Sequence, residues 1–255
     1  MTDLSERVAV VTGAGTGIGR AIALRLAAAG ARVALLGRRR APLEEAAAAA
    51  KGGALVRSVD VRDRADVDRA FDEVAHHLGP LHVLVANAGV GGPDVVDGED
   101  RFEEVVRTNL DGAYFCLRAF ERHLAPGPEP RQAIVISSCV ARFGVPGIAA
   151  YSAAKAGQLG LVRSFAAELA PRGVRVNAIC PGWVETDMAA ARMREIAAEQ
   201  GRPFADVRRE LLASVPLQRI SEPEEVAGLV LFLCSPDAAG LTGQALDPNN
   251  GAWMG

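Results

Sequence analysis

The sequence contains very little lysine or tyrosine. Of 28 basic residues only two are lysines, Lys51 and Lys155, and the only tyrosines are Tyr114 and Tyr151. The formal net charge is −3. This net charge excludes a protein that binds nucleic acid independently of the nucleotide sequence, because such binding needs a basic surface. We therefore expect no nucleic-acid partner.

Closely spaced cysteines and long apolar runs are also missing. Cys116, Cys139, Cys180 and Cys234 form no CxxC pair, so we expect reduced thiols in a cytoplasmic protein and no disulfide or zinc framework. The four histidines have no metal-ligand spacing, and no metal site is predicted. The first apolar run, residues 8–11, is too short for a signal peptide or a membrane span, so no membrane association is expected.

Short apolar stretches alternate with longer helical ones along the 255 residues. The short stretches lack polar alternation, which is typical of strands buried on both faces. Repeated βαβ units therefore predict an α/β fold, a doubly wound parallel β-sheet with helices on both faces, in a single domain of residues 1–255. Strands are expected at 8–12, 32–36, 54–59, 83–86, 133–137, 175–179 and 244–246, and helices at 20–29, 43–51 and 63–78.

Residues 187–219 fit this alternation poorly. They are predicted to form two helices that are broken at 201–203. Insertions at the carboxyl edge of such a sheet are typically lids or substrate pockets, so we expect a substrate lid here. The proline-rich stretch at 125–130 is predicted to be a turn.

A glycine-rich turn links the first strand to the first helix in VAVVTGAGTGIGRAIALRLAAAG. Glycines at such a turn let the backbone approach a pyrophosphate, and free N–H groups at the helix start bind the phosphates. The spacing is G-x-x-x-G-x-G instead of G-x-G-x-x-G, so on this motif alone a merely tight turn remains an alternative. The predicted cofactor contacts are Gly13, Gly15, Thr16, Gly17, Ile18 and Gly19.

Further motifs follow in the order known from one family. ANAG at 86–89 resembles that family's NNAG, with Ala86 replacing the first asparagine, and TN at 108–109 carries a helix asparagine. ISSCVARFGVPGIAAYSAAK carries a serine, a tyrosine and a lysine at the family's spacing. PGWVET at 181–186 resembles the segment that meets a nicotinamide. Together these motifs resemble the short-chain dehydrogenases/reductases of about 250 residues, similar to 3-oxoacyl-acyl-carrier-protein reductases.

The resemblance spans residues 7 to about 251 and implies a Rossmann-like oxidoreductase. Such an enzyme transfers a hydride between a nicotinamide cofactor and a small-molecule carbonyl or secondary alcohol. Relatives assemble as homotetramers through helices that correspond to residues 112–124 and 149–170. Asp60 and Val61 resemble the pair that contacts the adenine, Asn87 and Gly89 are expected beside the adenosine ribose, and Val184 and Thr186 are expected at the nicotinamide carboxamide.

Tyr151 and Lys155 are four residues apart in YSAAK and therefore share one face of a helix. A phenol with a pKa of ~10 is a poor acid at neutral pH, and a nearby ammonium is expected to lower that pKa. The resemblance implies that Tyr151 protonates the carbonyl oxygen while hydride arrives, and that Lys155 also holds the ribose. Arginine could not serve in the same way, because its charge is spread over a bulky planar group.

Two further residues complete the predicted catalytic set. Ser138 follows an apolar strand, and its hydroxyl can orient the substrate oxygen; Ser137 is a competing candidate. Asn109 resembles the family's fourth catalytic residue, which holds a water that links Lys155 to solvent. By itself, an asparagine in this position more often caps or kinks a helix.

Candidates for the substrate pocket are apolar residues near these motifs. The alternative for each of them is packing in the core. Arg142 could meet an acidic group of the substrate, and the alternative for it is a solvated side chain. The candidates are Val90, Phe143, Ile148, Trp183 and Met188, with Met193 beside them.

The second predicted strand ends in RVALLGRRR. An NAD enzyme of this fold needs a carboxylate at this strand end, where the chain has Gly37. Gly37 leaves space for a 2′-phosphate, and Arg38 and Arg39 supply positive charge with a fixed fork of donors. We therefore expect NADP(H) in preference to NAD(H). Thr16, where NADP-preferring relatives often carry a second basic residue, weakens this expectation.

Two other classes of protein share this fold. A cofactor-sensing regulatory protein without catalysis is expected to lose part of the Asn–Ser–Tyr–Lys set, and here all four residue types are present. A sugar-nucleotide epimerase has a different glycine spacing and a larger C-terminal domain.

Overall fold

Strands and helices alternate along the chain as the apolar pattern predicts. The computed structural model describes residues 2–96, 98–127 and 129–255, so part of the predicted turn at 125–130 lies outside the described residues. The strands are β1 (Val8–Thr12), β2 (Arg32–Gly37), β3 (Ala54–Ser58), β4 (Val83–Ala86), β5 (Val95–Val96), β6 (Glu99–Asp100), β7 (Arg131–Ile136), β8 (Val174–Ile179) and β9 (Ala245–Leu246). The helices are α1 (Gly17–Ala28), α2 (Arg40–Ala49), α3 (Arg64–Leu78), α4 (Phe102–Val106), α5 (Gly112–Arg122), α6 (Ala149–Leu169), α7 (Asp187–Gln200), α8 (Phe204–Ala213) and α9 (Pro223–Leu233).

The main sheet is parallel, with the strand order β3-β2-β1-β4-β7-β8-β9. Val10 of β1 pairs with Ala34 of β2 on one side and with Leu84 of β4 on the other. The chain therefore reverses its direction of winding between β1 and β4, and ligands of such sheets bind in the crevice beyond the carboxyl ends of the strands at this point. The short strands β5 and β6 form a separate antiparallel pair, which the sequence pattern does not predict.

Both faces of the sheet are covered, because every residue of β1 and β7 is buried. One face packs against α3, α5 and α6, where Phe71, Phe120 and Phe165 are fully buried. The opposite face packs against α1, α2 and α9, with Ile22 and Leu43 in its core. The prediction of a doubly wound α/β sheet is confirmed.

The inserted segment after β8 forms two helices, α7 and α8. Gly201 ends α7 in the left-handed region with φ of 62°, and Pro203 precedes α8, which explains the break between them. In the described part of the chain, no helix combines the length and apolar character needed to cross a membrane.

Candidate active site

A cavity of about 260 Å³ opens at the carboxyl edge of the sheet where the winding reverses. Most of the residues that the sequence motifs select line it, although they come from distant parts of the chain. These are Gly13, Thr16, Gly17, Ile18, Gly19, Arg38, Arg39, Val61, Asn87, Gly89, Val90, Asn109, Tyr151, Lys155, Thr186 and Met188. Eight other predicted site residues lie outside this lining, namely Gly15, Asp60, Ser138, Phe143, Ile148, Trp183, Val184 and Met193.

The glycine loop fits a bound phosphate group. A Cβ on Gly19 would lie 2.3 Å from the carbonyl oxygen of Gly13, so only glycine allows this close approach. Thr16 precedes α1 with an extended backbone and makes no side-chain capping bond, and the first turn of α1 carries no acidic residue. The N–H groups of this turn are thus available to an anion, and they coincide with the positive end of the helix dipole.

Asn87 holds the glycine loop against the end of β4. Its side-chain nitrogen donates to the carbonyl oxygen of Thr12 at 2.9 Å, and its backbone N–H donates to the Thr12 hydroxyl at 3.0 Å. Gly15 faces away from the cavity, since a Cβ there would lie 3.0 Å from the Cβ of Pro42. Asn87 therefore fixes the position of the glycine loop and also contributes to the cavity wall.

Tyr151 and Lys155 lie on one face of α6, as their spacing predicts. The Lys155 ammonium is 5.5 Å from the centre of the Tyr151 ring. It donates to the carbonyl oxygen of Ile136 at 2.8 Å, and the Ser137 hydroxyl donates to the carbonyl oxygen of Lys155 at 2.9 Å. The amino half of α6 is thereby fixed to the end of β7.

The expectation that Lys155 lowers the pKa of Tyr151 is wrong for this arrangement. Although Tyr151 keeps some exposed surface, burial raises the pKa of its phenol to about 12, and the hydrogen bond with the Ser138 side chain offsets this only in part. The Lys155 ammonium lies over the ring. Burial also lowers the pKa of Lys155, to about 8, because the ammonium has lost most of its hydration.

The two adjacent serines have different contacts. Ser137 is buried, and its hydroxyl is used by the backbone of α6. Ser138 is half-buried, its hydroxyl accepts a bond from the N–H of Val140 at 3.4 Å, and it interacts with Tyr151. Ser138 is thus the serine whose hydroxyl is not taken by the backbone of α6, although Ser137 and not Ser138 lines the cavity, and the choice of Ser138 as the catalytic serine stays a prediction.

Asn109 lies in a π-helical turn, Arg107–Asp111, between α4 and α5. Its side-chain nitrogen donates to the carbonyl oxygens of Val90 at 2.8 Å and Val105 at 2.9 Å. Both amide hydrogens are therefore used to hold the segment after β4, and the role of Asn109 in holding a relay water, which the resemblance implies, stays a prediction. A Cβ on Gly89 would lie 2.4 Å from the Asn109 side-chain oxygen, which requires glycine there.

The end of β2 provides free positive charge at the cavity. A Cβ on Gly37 would meet only ordinary contacts, the nearest being Leu43 at 3.5 Å. Arg40 pairs with Glu44 at 2.7 Å, whereas Arg38 and Arg39 pair with no carboxylate of the described chain. Both line the cavity and are exposed, so their guanidinium groups are available to an anion.

Asp60 and Val61, which follow β3, make different contacts. Val61 is buried and lines the cavity, whereas the Asp60 carboxylate is held by the Arg62 guanidinium, with one contact at 2.6 Å. This ion pair also holds the pKa of Asp60 below its usual range. A bound adenine that forms a hydrogen bond with the Asp60 carboxylate has to share this carboxylate with Arg62.

The predicted pocket residues are only partly brought together. Val90 and Met188 line the cavity, and the Met188 sulfur lies 3.5 Å from where a Cβ on Gly91 would be. Met193 is fully buried, in agreement with the core-packing alternative. Phe143 is exposed, Ile148 and Trp183 are half-buried outside the lining, and Val184 is buried.

Two contacts around this region join distant segments. The Arg208 guanidinium of α8 makes two hydrogen bonds to the Glu185 carboxylate, which attaches the predicted lid to the segment before Thr186. Arg142 pairs with Asp247 at 3.0 Å and lies 4.8 Å from the Trp253 ring. Arg142 is therefore engaged by the C-terminal segment and is not free for an acidic substrate.

Asp94 is a site-supporting residue that the sequence patterns miss. Its carboxylate accepts the N–H groups of Ala149 at 2.7 Å and Ala150 at 2.9 Å, at the start of α6. Its own N–H donates to the carbonyl oxygen of Gly147 at 2.8 Å. Asp94 precedes Ala149 by 55 residues, and no local capping pattern links a residue to a helix so far away.

Comparison with known proteins agrees with this site. The sequence profile described as enoyl-(acyl carrier protein) reductase matches residues 13–252. The 3-oxoacyl-[acyl-carrier-protein] reductase MabA of Mycobacterium tuberculosis is 37% identical over 252 residues, which cover 98% of this chain and 94% of MabA. The corresponding FabG of Escherichia coli is 36% identical over 256 residues, with coverages of 97% and 98%. A solved actinorhodin polyketide ketoreductase with NADPH superposes with a TM-score of 0.88 at 35% identity, covering 99% of each chain.

The chain belongs to the short-chain dehydrogenases/reductases. It is an oxidoreductase of the nicotinamide-dependent kind, and its relatives are ketoacyl reductases and related dehydrogenases. Nothing in these comparisons supports the alternative of a catalytically silent regulatory protein.

Proposed function

We propose that this enzyme reduces a ketone to a secondary alcohol with NADPH, and that Tyr151 is the acid that protonates the carbonyl oxygen. The observation that carries the proposal is the joint placement of Tyr151 and Lys155 in the same cavity as the glycine loop. The chain's only other tyrosine, Tyr114, packs against Phe115 and Phe165, outside that cavity.

When bound, the nicotinamide supplies the hydride that reaches the carbonyl carbon. The N–H groups at the start of α1 would hold its phosphates, and Lys155 and Thr186 would hold its nicotinamide half. Tyr151 gives a proton to the carbonyl oxygen while Ser138 donates a hydrogen bond that orients this oxygen. The high pKa of the free phenol keeps Tyr151 protonated, so it is ready to act as an acid. In the reverse direction, Tyr151 removes the proton of the alcohol.

The preference for NADP(H) is supported by charge and space at the end of β2. Gly37 leaves space where a carboxylate would repel a 2′-phosphate, and neither Arg38 nor Arg39 forms an ion pair with a carboxylate of the described residues, although the charge of Arg38 also acts on Asp60. The actinorhodin ketoreductase structure was solved with NADPH, which supports this preference. We assign Arg38 as the main phosphate ligand and Arg39 as the secondary one.

The substrate is proposed to be a ketone on an acyl or polyketide chain. The names of the curated relatives and of the solved ketoreductase support this class. Val90 and the exposed Met188 add apolar surface to the cavity lining, which suits a carbon chain better than a sugar.

The test measures NADPH oxidation with matched 3-oxoacyl thioesters, cyclic ketones and aldoses. We expect the thioesters to be reduced with the highest kcat/KM and to give the 3-hydroxy products. Failure to reduce any ketone, despite NADPH binding measured by Trp fluorescence, would contradict the reductase proposal. Reduction of aldoses alone would contradict the substrate class.

We further propose a homotetramer that pairs copies of α5 and α6. Arg118 of α5 lies 4.4 Å from the Phe165 ring of α6 and forms ion pairs with Glu121 and Glu168, which fixes the two helices as one surface. Gly160 of α6 is exposed, and a Cβ there would meet nothing within 4 Å. A partner helix can therefore approach closely at this point.

A further inference from the structure

Gln158 is a buried amide one turn beyond Lys155 on α6. It is 1% exposed, and its side-chain nitrogen donates to the carbonyl oxygen of Asn109 at 2.7 Å. Its side-chain oxygen Oε1 is also buried, yet no donor in the described part of the chain reaches it. Buried amide oxygens nearly always have a partner, either in the protein or in an ordered water.

Lys155 has unused donors on the same side of the helix. Residues three apart on a helix are neighbours, so Lys155 and Gln158 share a face. The ammonium has three N–H donors, and the carbonyl oxygen of Ile136 is the one acceptor that it reaches among the described residues. A water between the two side chains would accept from Lys155 and donate to Gln158 Oε1, which gives the ammonium a second acceptor and Oε1 its missing donor.

Asn109 is poorly placed for the same task. Its two amide hydrogens are bound to the carbonyl oxygens of Val90 and Val105, and its side-chain oxygen accepts the N–H of Val90 at 3.2 Å. One of the two lone pairs of its backbone carbonyl oxygen is taken by Gln158. The contact with Asn109 also fixes the orientation of the Gln158 amide, because the nitrogen has to face the π-helical turn. Oε1 is thereby directed away from Asn109 as a fixed acceptor.

We propose that Gln158 is a positioning residue that holds a water against the Lys155 ammonium. Protons from solvent reach Tyr151 through this water and Lys155. The proposal rests on the proposed roles of Tyr151 and Lys155. After Tyr151 has given its proton to the substrate, Lys155 passes a proton towards Tyr151 and becomes an amine. The water then gives a proton to this amine and takes one from solvent, so each group returns to its starting state and one proton has moved. The lowered pKa of Lys155 suits such an exchange near neutral pH.

Ser152 is the competing holder of this water. Its hydroxyl is buried without a partner in the described residues, and it precedes Lys155 by three positions. Gln158 is favoured because its longer side chain is almost completely buried and is anchored at its other end by Asn109. A Ser152→Ala variant separates the two possibilities.

The first test measures the pKa of Lys155 by NMR in the cofactor-free protein. A Lys51→Arg background, which keeps the charge at an exposed position, leaves Lys155 as the only lysine for labelled-lysine spectra. The titratable groups that face Lys155 are Tyr151 on its own helix and Cys180 after β8, and all variants retain both. Gln158→Met should lower the pKa of Lys155 by at least ~0.5 units because the ammonium loses its water, and Gln158→Glu should raise it.

The second test measures turnover of a confirmed ketone substrate with NADPH. Gln158→Met should lower kcat about tenfold, less than full loss of acid catalysis, and leave both KM values within about twofold. Gln158→Leu serves if the methionine variant folds poorly. Leu159→Ala is the control for a weakened α6, since it removes buried packing next to Gln158 without removing an amide.

An unchanged Lys155 pKa with kcat within twofold of wild type in the Gln158 variants would overturn the proposal. It would be overturned equally if Ser152→Ala, and not Gln158→Met, lowered this pKa. If the wild type reduces no ketone, the function proposed above fails, while the NMR titration still decides whether Gln158 hydrates Lys155.

Discussion

The Asp94 carboxylate accepts the backbone N–H of Ala149 at 2.7 Å and so caps the helix that carries the proposed catalytic pair. Tyr151 is the third residue of that helix, which means that the cap sets the position of the helix turn on which the phenol lies. The backbone N–H of Asp94 also donates to the carbonyl oxygen of Gly147, so backbone and side-chain bonds together join the segment after β4 to the start of α6.

Asp94→Ala should destabilise the protein and slow catalysis. Loss of a capping side chain costs ~1 kcal/mol, and a misplaced Tyr151 turn should lower kcat about 3–10-fold without weakening cofactor binding. Asp94→Asn retains an acceptor and should recover most of both losses. The measurements are urea unfolding and steady-state kinetics of both variants. Equal damage by alanine and asparagine would argue against a capping role.

Cofactor preference should depend on Gly37 and Arg38. Gly37→Asp with Arg38→Leu places a carboxylate where the 2′-phosphate is proposed to bind and removes its main ligand. The ratio of kcat/KM for NADPH over NADH should exceed one in the wild type and fall at least about 100-fold in the double variant. Arg40→Leu is the control, because Arg40 is already paired with Glu44. A wild type that prefers NADH would refute the assignment.

The buried Lys155 should leave a signature in stability against pH. Its pKa is about 8 in the folded chain, compared with 10.5 ordinarily, so between these values the unfolded chain binds more protons and the free energy of unfolding rises with pH. Lys155→Met lacks this contribution. The stability of the wild type relative to Lys155→Met should therefore increase, by on the order of 1–3 kcal/mol, between about pH 7 and pH 10.

Urea unfolding of the cofactor-free proteins at several pH values measures this difference. The pH range of the measurement ends near 10.0, the ordinary pKa of tyrosine. Between pH 10 and about 12 the raised pKa of Tyr151 makes the free energy of unfolding fall as pH rises. A difference that stays flat or shrinks as pH rises would show that Lys155 is well solvated in the folded chain.

The proposed tetramer should break at Gly160. Gly160→Arg places a long charged side chain on the face of α6 that is proposed to meet a partner helix, while the chain itself has room for it. Light scattering should show four chains for the wild type and fewer for this variant, with folding retained by circular dichroism. Gly228→Arg on α9, where a Cβ also meets nothing within 4 Å, is the matched control and should remain tetrameric.

The fold could be predicted from the sequence because its signals are local. Most strands of the main sheet are built around a short apolar run, and the glycine loop and YSAAK lie at fixed positions relative to such runs. Motif order then places Tyr151, Lys155 and the glycines at one sheet edge, where the structure also has them.

The remaining features depend on contacts between distant segments. The cap from Asp94 to α6 joins residues 55 apart, and the bond from Gln158 to Asn109 joins residues 49 apart. The pKa of Tyr151 was predicted from its distance to Lys155 along the helix. Burial decides it instead, and burial depends on how the whole chain packs around the phenol.

The most direct test compares Tyr151→Phe with Tyr114→Phe, the same change at the chain's other tyrosine. With a confirmed ketone substrate, Tyr151→Phe should lower kcat by at least ~10²-fold while the Kd for NADPH stays within about threefold, because only the proton donor is removed. Tyr114→Phe should retain near-normal turnover. Turnover by Tyr151→Phe within tenfold of the wild type would contradict the assignment of Tyr151 as the acid.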